Sequence, residues 1–190
     1  MKNYKTYSKL LNEKYISDFM DVLYTVESIK GFIENGGDIN IVDENGDNLL
    51  LLSIMNFRKD VVKFLINNGI DINHKNNTGE NAIYLLIKTR YMDILNTVIN
   101  KKDAIVTNND LFNFSRTLKI TSEQRSIALN SFLNNKNVDW KKKDSIGKYF
   151  FEYIKIDILS YYYAGIDDNE LLDFIMNFYE KKNKIKDFNL

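Results

Sequence analysis

His74 is the only histidine in the chain, and cysteine is absent. Without a thiolate or a second imidazole, a zinc site of His and Cys and a two-His metalloprotease motif both lack their ligands. Carboxylate, lysine, tyrosine and serine chemistry remains. Asp43-Glu44 and Asp167-Asp168 are carboxylate pairs. Their members are neighbours in turns, where Asp favours local backbone hydrogen bonds and helix capping over general acid–base work. The segment from Asp38 through Asn40, Asp43 and Asn45 to Asp47 is dense in oxygen and invites a calcium reading. It fails on spacing: Gly46 is not flanked by ligands at positions 1, 3 and 5. With Asp43 as position one, Ile54 falls where a bidentate Glu is required. Neither phosphate-binding glycine pattern, Gly-x-x-x-x-Gly-Lys or Gly-x-Gly-x-x-Gly, occurs. The expectation is no catalytic residue, no metal and no cofactor.

The elements that must position these residues are repetitive. Asp38-Ile39-Asn40 and Gly46-Asp47-Asn48 return 33 residues later as Asp71-Ile72-Asn73 and Gly79-Glu80-Asn81. In the best unit, Gly36 to Asn40 makes a tight turn and Asp43 to Gly46 a second one. Together they frame a hairpin-like finger. Residues 48–56 are apolar nearly all round, as an inner helix sandwiched between neighbours must be. Residues 59–67 set Val61, Val62, Phe64, Leu65 and Ile66 among Lys59, Asp60, Lys63 and Asn67, an outer helix that stops at Gly69. The next unit repeats the plan. Backwards, Ile29 to Gly36 matches Val62 to Gly69 at the same offset, so a first repeat ends at Gly36, with an inner helix near 15–23 and a polar leader at 2–13.

Forward, Asp139, Asp144 and Gly147 restore the Asp-to-Gly spacing of the fingers and open a degraded fifth repeat. Between lies a divergent fourth that has lost its finger but keeps two readable helices, 110–118 and 122–133, the latter behind a Thr121-x-x-Gln124 capping box. The expected units are 1–36, 37–69, 70–102, 103–136 and 137–181 of a single domain, 1–190, with a polar tail at 182–190. Asp167-x-x-Glu170 caps a closing helix at 169–181.

A 33-residue period joining a turn to two short helices resembles the ankyrin repeat. Ankyrin inner helices usually open Thr-Pro-Leu-His. Here the matching positions are Asn48-Leu49-Leu50-Leu51, Asn81-Ala82-Ile83-Tyr84 and Tyr149-Phe150-Phe151-Glu152, and the chain has no proline. The resemblance implies an all-α ankyrin-repeat solenoid of paired antiparallel helices with short fingers, gripping a protein through a concave face of finger tips and inner-helix edges. The family's variable contact positions fall on Glu44, Asn45, Asp47, Met55 and Asn56, then on Asn77, Thr78, Glu80, Lys88 and Thr89, and in the fifth repeat on Ser145, Ile146 and Lys148.

Charge adds local detail to this reading. Lys plus Arg and Asp plus Glu number 26 each, so no global field draws the chain to nucleic acid or an anionic membrane. Trp140 with Lys141, Lys142 and Lys143 makes a basic fifth finger, opposite in sign to the acidic Asp43, Glu44 and Asp47 of the second, and a concave face graded from acidic to basic would orient one partner. Tyr161 to Tyr163 and the rings from Tyr149 to Tyr153 make the C-terminal part the most aromatic, as core or as interface. No apolar run has the length of a signal peptide core or a membrane span, which predicts a cytoplasmic chain with no membrane partner. The codon-driven abundance of Lys, Asn and Ile points to an AT-rich genome.

The functional expectation is a non-catalytic protein-interaction module, monomeric alone. Ankyrin arrays serve in bacteria as neutralising proteins, so the narrower form is an immunity protein for a cognate toxin. The alternatives are a viral or parasite effector engaging a host protein and, behind it, a nucleic-acid or small-molecule binder.

Overall fold

The structure, a computed structural model, describes residues 25–117, 122–139, 142–148, 150 and 153. The chain divides into two compact units, 1–105 and 106–190. The first holds α1 (Val26–Glu34), α2 (Leu49–Met55), α3 (Lys59–Asn67), α4 (Ala82–Thr89) and α5 (Met92–Ile99). The second holds α6 (Asn108–Ser115) and α7 (Ser122–Asn134). The described residues form no strand; isolated antiparallel bridges, Val42 to Asn48 and Lys75 to Asn81, close the bases of the second and third fingers.

Apolar patterning decides which helix lies inside. In α2 every residue from Leu49 to Ile54 is buried, and Ser53 satisfies its hydroxyl on the Leu49 carbonyl at 2.6 Å. In α3 only Val61, Val62, Leu65 and Ile66 are buried, a single stripe with the charged residues outside. Accordingly α2 packs against both α3 of its own repeat and α4 of the next, while α4 packs on α5 and α1 on α3. Each inner leucine removed from water contributes about 1.5–3 kcal/mol, and this stacking is what holds helices too short to persist alone.

Capping fixes the ends. Asn48 and Asn81 accept from the backbone N–H groups of Leu51 and Tyr84 at 3.0 and 2.8 Å. The expected helices at 48–56 and 59–67 therefore appear as Leu49–Met55, with Asn48 and Asn56 as caps, and Lys59–Asn67. The expected start at Asp110 moves back to Asn108 because Asp110 is the third helical residue of a capping box, not the cap: Thr107 and Asp110 exchange hydrogen bonds at 2.8 and 3.3 Å. The expected inner helix at 15–23, the leader at 2–13, the Thr121 cap and the closing helix at 169–181 lie outside the described residues.

Four helices end in the same left-handed turn. Gly36 and Gly69 take φ of +86° and +84° after α1 and α3, and Phe57 and Arg90 take 58° and 62° after α2 and α4. After α2, the Phe57 and Arg58 N–H groups donate to the Ile54 and Ser53 carbonyls at 3.1 and 2.9 Å, and after α4 Arg90 and Tyr91 repeat the pair on Ile87 and Leu86. This double bond satisfies carbonyls that the helix leaves orphaned. Glycine enters the conformation freely, whereas a side chain there costs roughly 1–2 kcal/mol.

In the second unit, Leu111, Phe112 and Phe114 of α6 and Ala128, Leu129, Phe132 and Leu133 of α7 are buried with Val138 and Phe150. The Phe114 and Phe132 rings lie 5.2 Å apart.

Candidate partner-binding site

Each finger is folded by one short polar side chain. Asp43 Oδ1 accepts from the N–H groups of Asn45 and Asp47 at 2.9 and 2.8 Å. Its own N–H donates to the Asp47 carbonyl, and Gly46 N–H donates to its carbonyl. Asn76 does the same for Thr78 and Glu80 at 3.1 and 2.9 Å. Asp144 does so for Ile146 and Lys148, both at 3.0 Å. The turn recurs three times, and the carboxylates that head two of them are consumed by the backbone.

The second and third fingers are locked edge to edge. Asn77 N–H donates to the Asn45 carbonyl at 3.0 Å and its Nδ2 to the Glu44 carbonyl at 3.1 Å. Asn76 Nδ2 donates to Asp47 Oδ1 at 2.8 Å. His74 Nε2 lies 2.6 Å from the Gly46 carbonyl, which makes Nε2 the protonated nitrogen, since a carbonyl only accepts. A side chain at Gly46 would stand 2.6 Å from the Asn77 amide oxygen, so glycine is needed for this approach as well as for the turn.

The predicted contact residues fall into distinct settings. Glu44, Asn45, Asn56, Asn77, Thr78 and Lys88 are exposed, and Met55 is 36% exposed. Asn56 caps its own helix through the Leu52 carbonyl at 2.8 Å, and half-buried Thr89 bonds the Leu85 carbonyl at 2.8 Å. Half-buried Glu80 pairs with Lys88 at 3.5 Å, and Lys88 lies 5.6 Å from the Tyr84 ring. Asp47 is placed differently from a loop tip: only 6% of it is exposed, and it is the seat of the third finger. Burial pushes its carboxyl above the usual range, aided by the charges of Asp43 and Glu80 and opposed by the Asn76 hydrogen bond. In the second unit Lys142, Lys143, Ser145 and Ile146 are exposed, and half-buried Lys148 lies 5.6 Å from the Tyr153 ring. Trp140 and Lys141 lie outside the described residues.

A cluster that the sequence did not announce ties the last described finger to α6. Arg116 Nη2 sits 2.6 Å from Asp144 Oδ2 and 3.1 Å from the Tyr153 hydroxyl, which itself donates to Asp144. The guanidinium lies 4.6 Å from the Tyr153 ring centroid. The Tyr153 hydrogen bond first, then the N–H groups of Lys148 and Ile146 and the Arg116 guanidinium, hold the Asp144 carboxyl down to about 2. Arg116, Phe112, Asn108, Lys142, Lys143 and Ser145 line an open cleft of about 250 Å³ beside it. The described residues hold no group of three or more His, Cys, Asp or Glu placed to bind a metal, and no helix among them is long and apolar enough to cross a membrane.

Residues 22–110 match the family model for ankyrin repeats, in three copies. This stretch is an ankyrin-repeat array, an all-α repeat solenoid, and ankyrin repeats generally serve as protein-interaction modules. Among curated proteins no sequence matches the chain. A solved structure similar to it is a chain from the complex of the predatory endopeptidase Bd0816 of Bdellovibrio bacteriovorus with the immunity protein Bd3460. The identity is 18%, the alignment covers 75% of this chain and 92% of that one, and the TM-score is 0.40. A likeness at that level says nothing about what this chain binds.

Proposed function

We propose that the chain binds a folded protein through its fingers and the adjoining edges of the inner helices, without catalysis. The interlock of the second and third fingers carries this reading. Four hydrogen bonds between the two loops fix the backbone under Glu44, Asn45, Asn77 and Thr78, with Met55 and Lys88 on the helices behind them. Loops held before contact lose little entropy on binding, and that preorganisation is what an interface of modest area needs. Ser145, Ile146 and Lys148, on a finger folded by the same turn, extend the reading to the second unit, together with Trp140 and Lys141 to Lys143.

The narrower form of the proposal is a cytoplasmic, monomeric neutralising protein for a cognate bacterial toxin; it rests on the use of ankyrin arrays for that purpose. Co-expression with the product of a neighbouring toxin gene tests it. Growth rescue by the wild type, lost with Glu44→Ala, Met55→Ala and Thr78→Ala combined while thermal unfolding is unchanged, is the expected outcome. Rescue untouched by these changes removes the finger face as the site. Absence of rescue by the wild type, with capture of a host protein instead, replaces the immunity form by an effector.

A further inference from the structure

We propose that the turns joining inner to outer helices carry a second binding surface, centred on Phe57 and Tyr91, for an acidic segment of a protein partner that sets an apolar side chain between its carboxylates. This surface lies at the C-terminal ends of α2 and α4, whereas the fingers precede their N-terminal ends, so it goes beyond the finger reading.

Phe57 is out of place on two independent counts. Its backbone is left-handed at φ 58°, in a capping motif that the same chain fills with glycine at Gly36 and Gly69. The residue is 65% exposed, so burial does not repay the strain. A strained, exposed aromatic residue is what a protein keeps when the residue does something outside the fold. The equivalent place one repeat on, Arg90 at φ 62°, is also not glycine, so both turns present a large side chain outward.

The surroundings define the partner. The Phe57 ring meets Tyr91 edge to face at 6.0 Å, and Lys59 Nζ lies 4.5 Å from the Tyr91 centroid. Lys59 and Lys63 both reach Asp93 at 3.4 Å, two cations on one carboxylate. Arg90 and Asp60 are also exposed, so leaving aside Arg58, the turns and the outer helices that follow them set Lys59, Lys63 and Arg90 against the carboxylates of Asp60 and Asp93. The excess suits one or two carboxylates of a peptide. It falls short of the several spread cations that a nucleic-acid backbone needs. The aromatic pair supplies the apolar seat between them, the setting in which interface anchors concentrate binding energy.

A random dodecapeptide library displayed on phage, selected on the full chain with Phe57→Gly present in solution as competitor, tests the surface. Phe57→Gly keeps the turn, because glycine is at ease there; Phe57→Asn, also tolerated in this conformation, is the second variant should the first unfold. Recovered peptides are expected to be acidic around an apolar residue, to bind both variants at least about tenfold more weakly than the wild type, and to weaken again with Lys63→Glu, with the melting temperature held. Peptides that bind wild type and Phe57 variants equally overturn the proposal, as do Phe57-dependent peptides of neutral or basic composition. A single-stranded oligonucleotide whose binding depends on Phe57 overturns it too. Peptides lost with Glu44→Ala or Thr78→Ala but not with Phe57→Gly leave the finger reading standing and remove this one.

Discussion

Asp144 shows how a loop carboxylate can be committed to architecture. Three donors from the chain, two N–H groups of its own turn and the Tyr153 hydroxyl, converge on it with Arg116. Its folded carboxyl, at about 2, lies below the ordinary 3.8, so the stability it contributes is present above 3.8 and is lost as pH falls toward 2. Tyr153→Phe removes the foremost of these interactions. The wild type is expected to exceed the variant in urea-unfolding stability near neutral pH, with the gap closing between 3.8 and about 2; a gap that stays constant with pH would show that Tyr153 acts by packing alone. The turn at Asp144 was legible in the sequence, but its bonds to Arg116 and Tyr153 were not. Arg116 lies 28 residues from Asp144 and 37 from Tyr153, so only the fold makes them neighbours. Asp47 escaped for the same reason: the side chain that binds it stands 29 positions on.

At the scale of the element, the fingers were the most readable part of the chain. Their geometry is set within five residues, by a short acceptor at the head and a glycine with positive φ three positions later, at Gly46, Gly79 and Gly147. What stayed hidden is why the head residue is Asp in two fingers and Asn in one. Asn76 must accept from its own turn and also donate to Asp47 at 2.8 Å, which a carboxylate cannot do. Asn76→Asp is therefore expected to keep the turn and yet set two carboxylates against each other. Their pKa values rise, so the variant should be less stable than the wild type at pH 7, by about 1–3 kcal/mol, and should recover as pH falls through the carboxylate range. Asn76→Ala loses turn and bridge together; protonating Asp47 at low pH relieves only the bridge's share and leaves the turn unmade, so chemical denaturation at pH 7 and pH 4 is expected to show the larger acid recovery for Asn76→Asp. The left-handed turns at Phe57 and Arg90 were unreadable because the residue that usually marks them, glycine, is missing there.

Across the whole molecule, the stacking of inner helices was foreseen from their all-round apolar composition, and the array at 22–110 bears out the family reading. Leu86 is fully buried. Leu86→Ala is expected to cost about 2–5 kcal/mol and to lower the melting temperature of the first unit; a cost below about 1 kcal/mol would mean that the inner layer can collapse around the gap. The junctions between repeats have a different character from this core. Asn40 Oδ1 accepts from Asp71 N–H at 2.7 Å, and Asn48 Nδ2 donates to the Asp71 carbonyl at 3.2 Å. Asn73 in turn takes the Ile105 N–H and the Asp103 carbonyl, both at 2.8 Å. Every one of these contacts addresses a main-chain atom of the receiving repeat, so these joints, unlike the Asn76–Asp47 bond between the fingers, do not depend on the side chains they meet. A gene encoding such a chain can lengthen by duplicating a whole unit in frame, and the duplicate brings these joints with it, while the exposed side chains on either side stay free to vary.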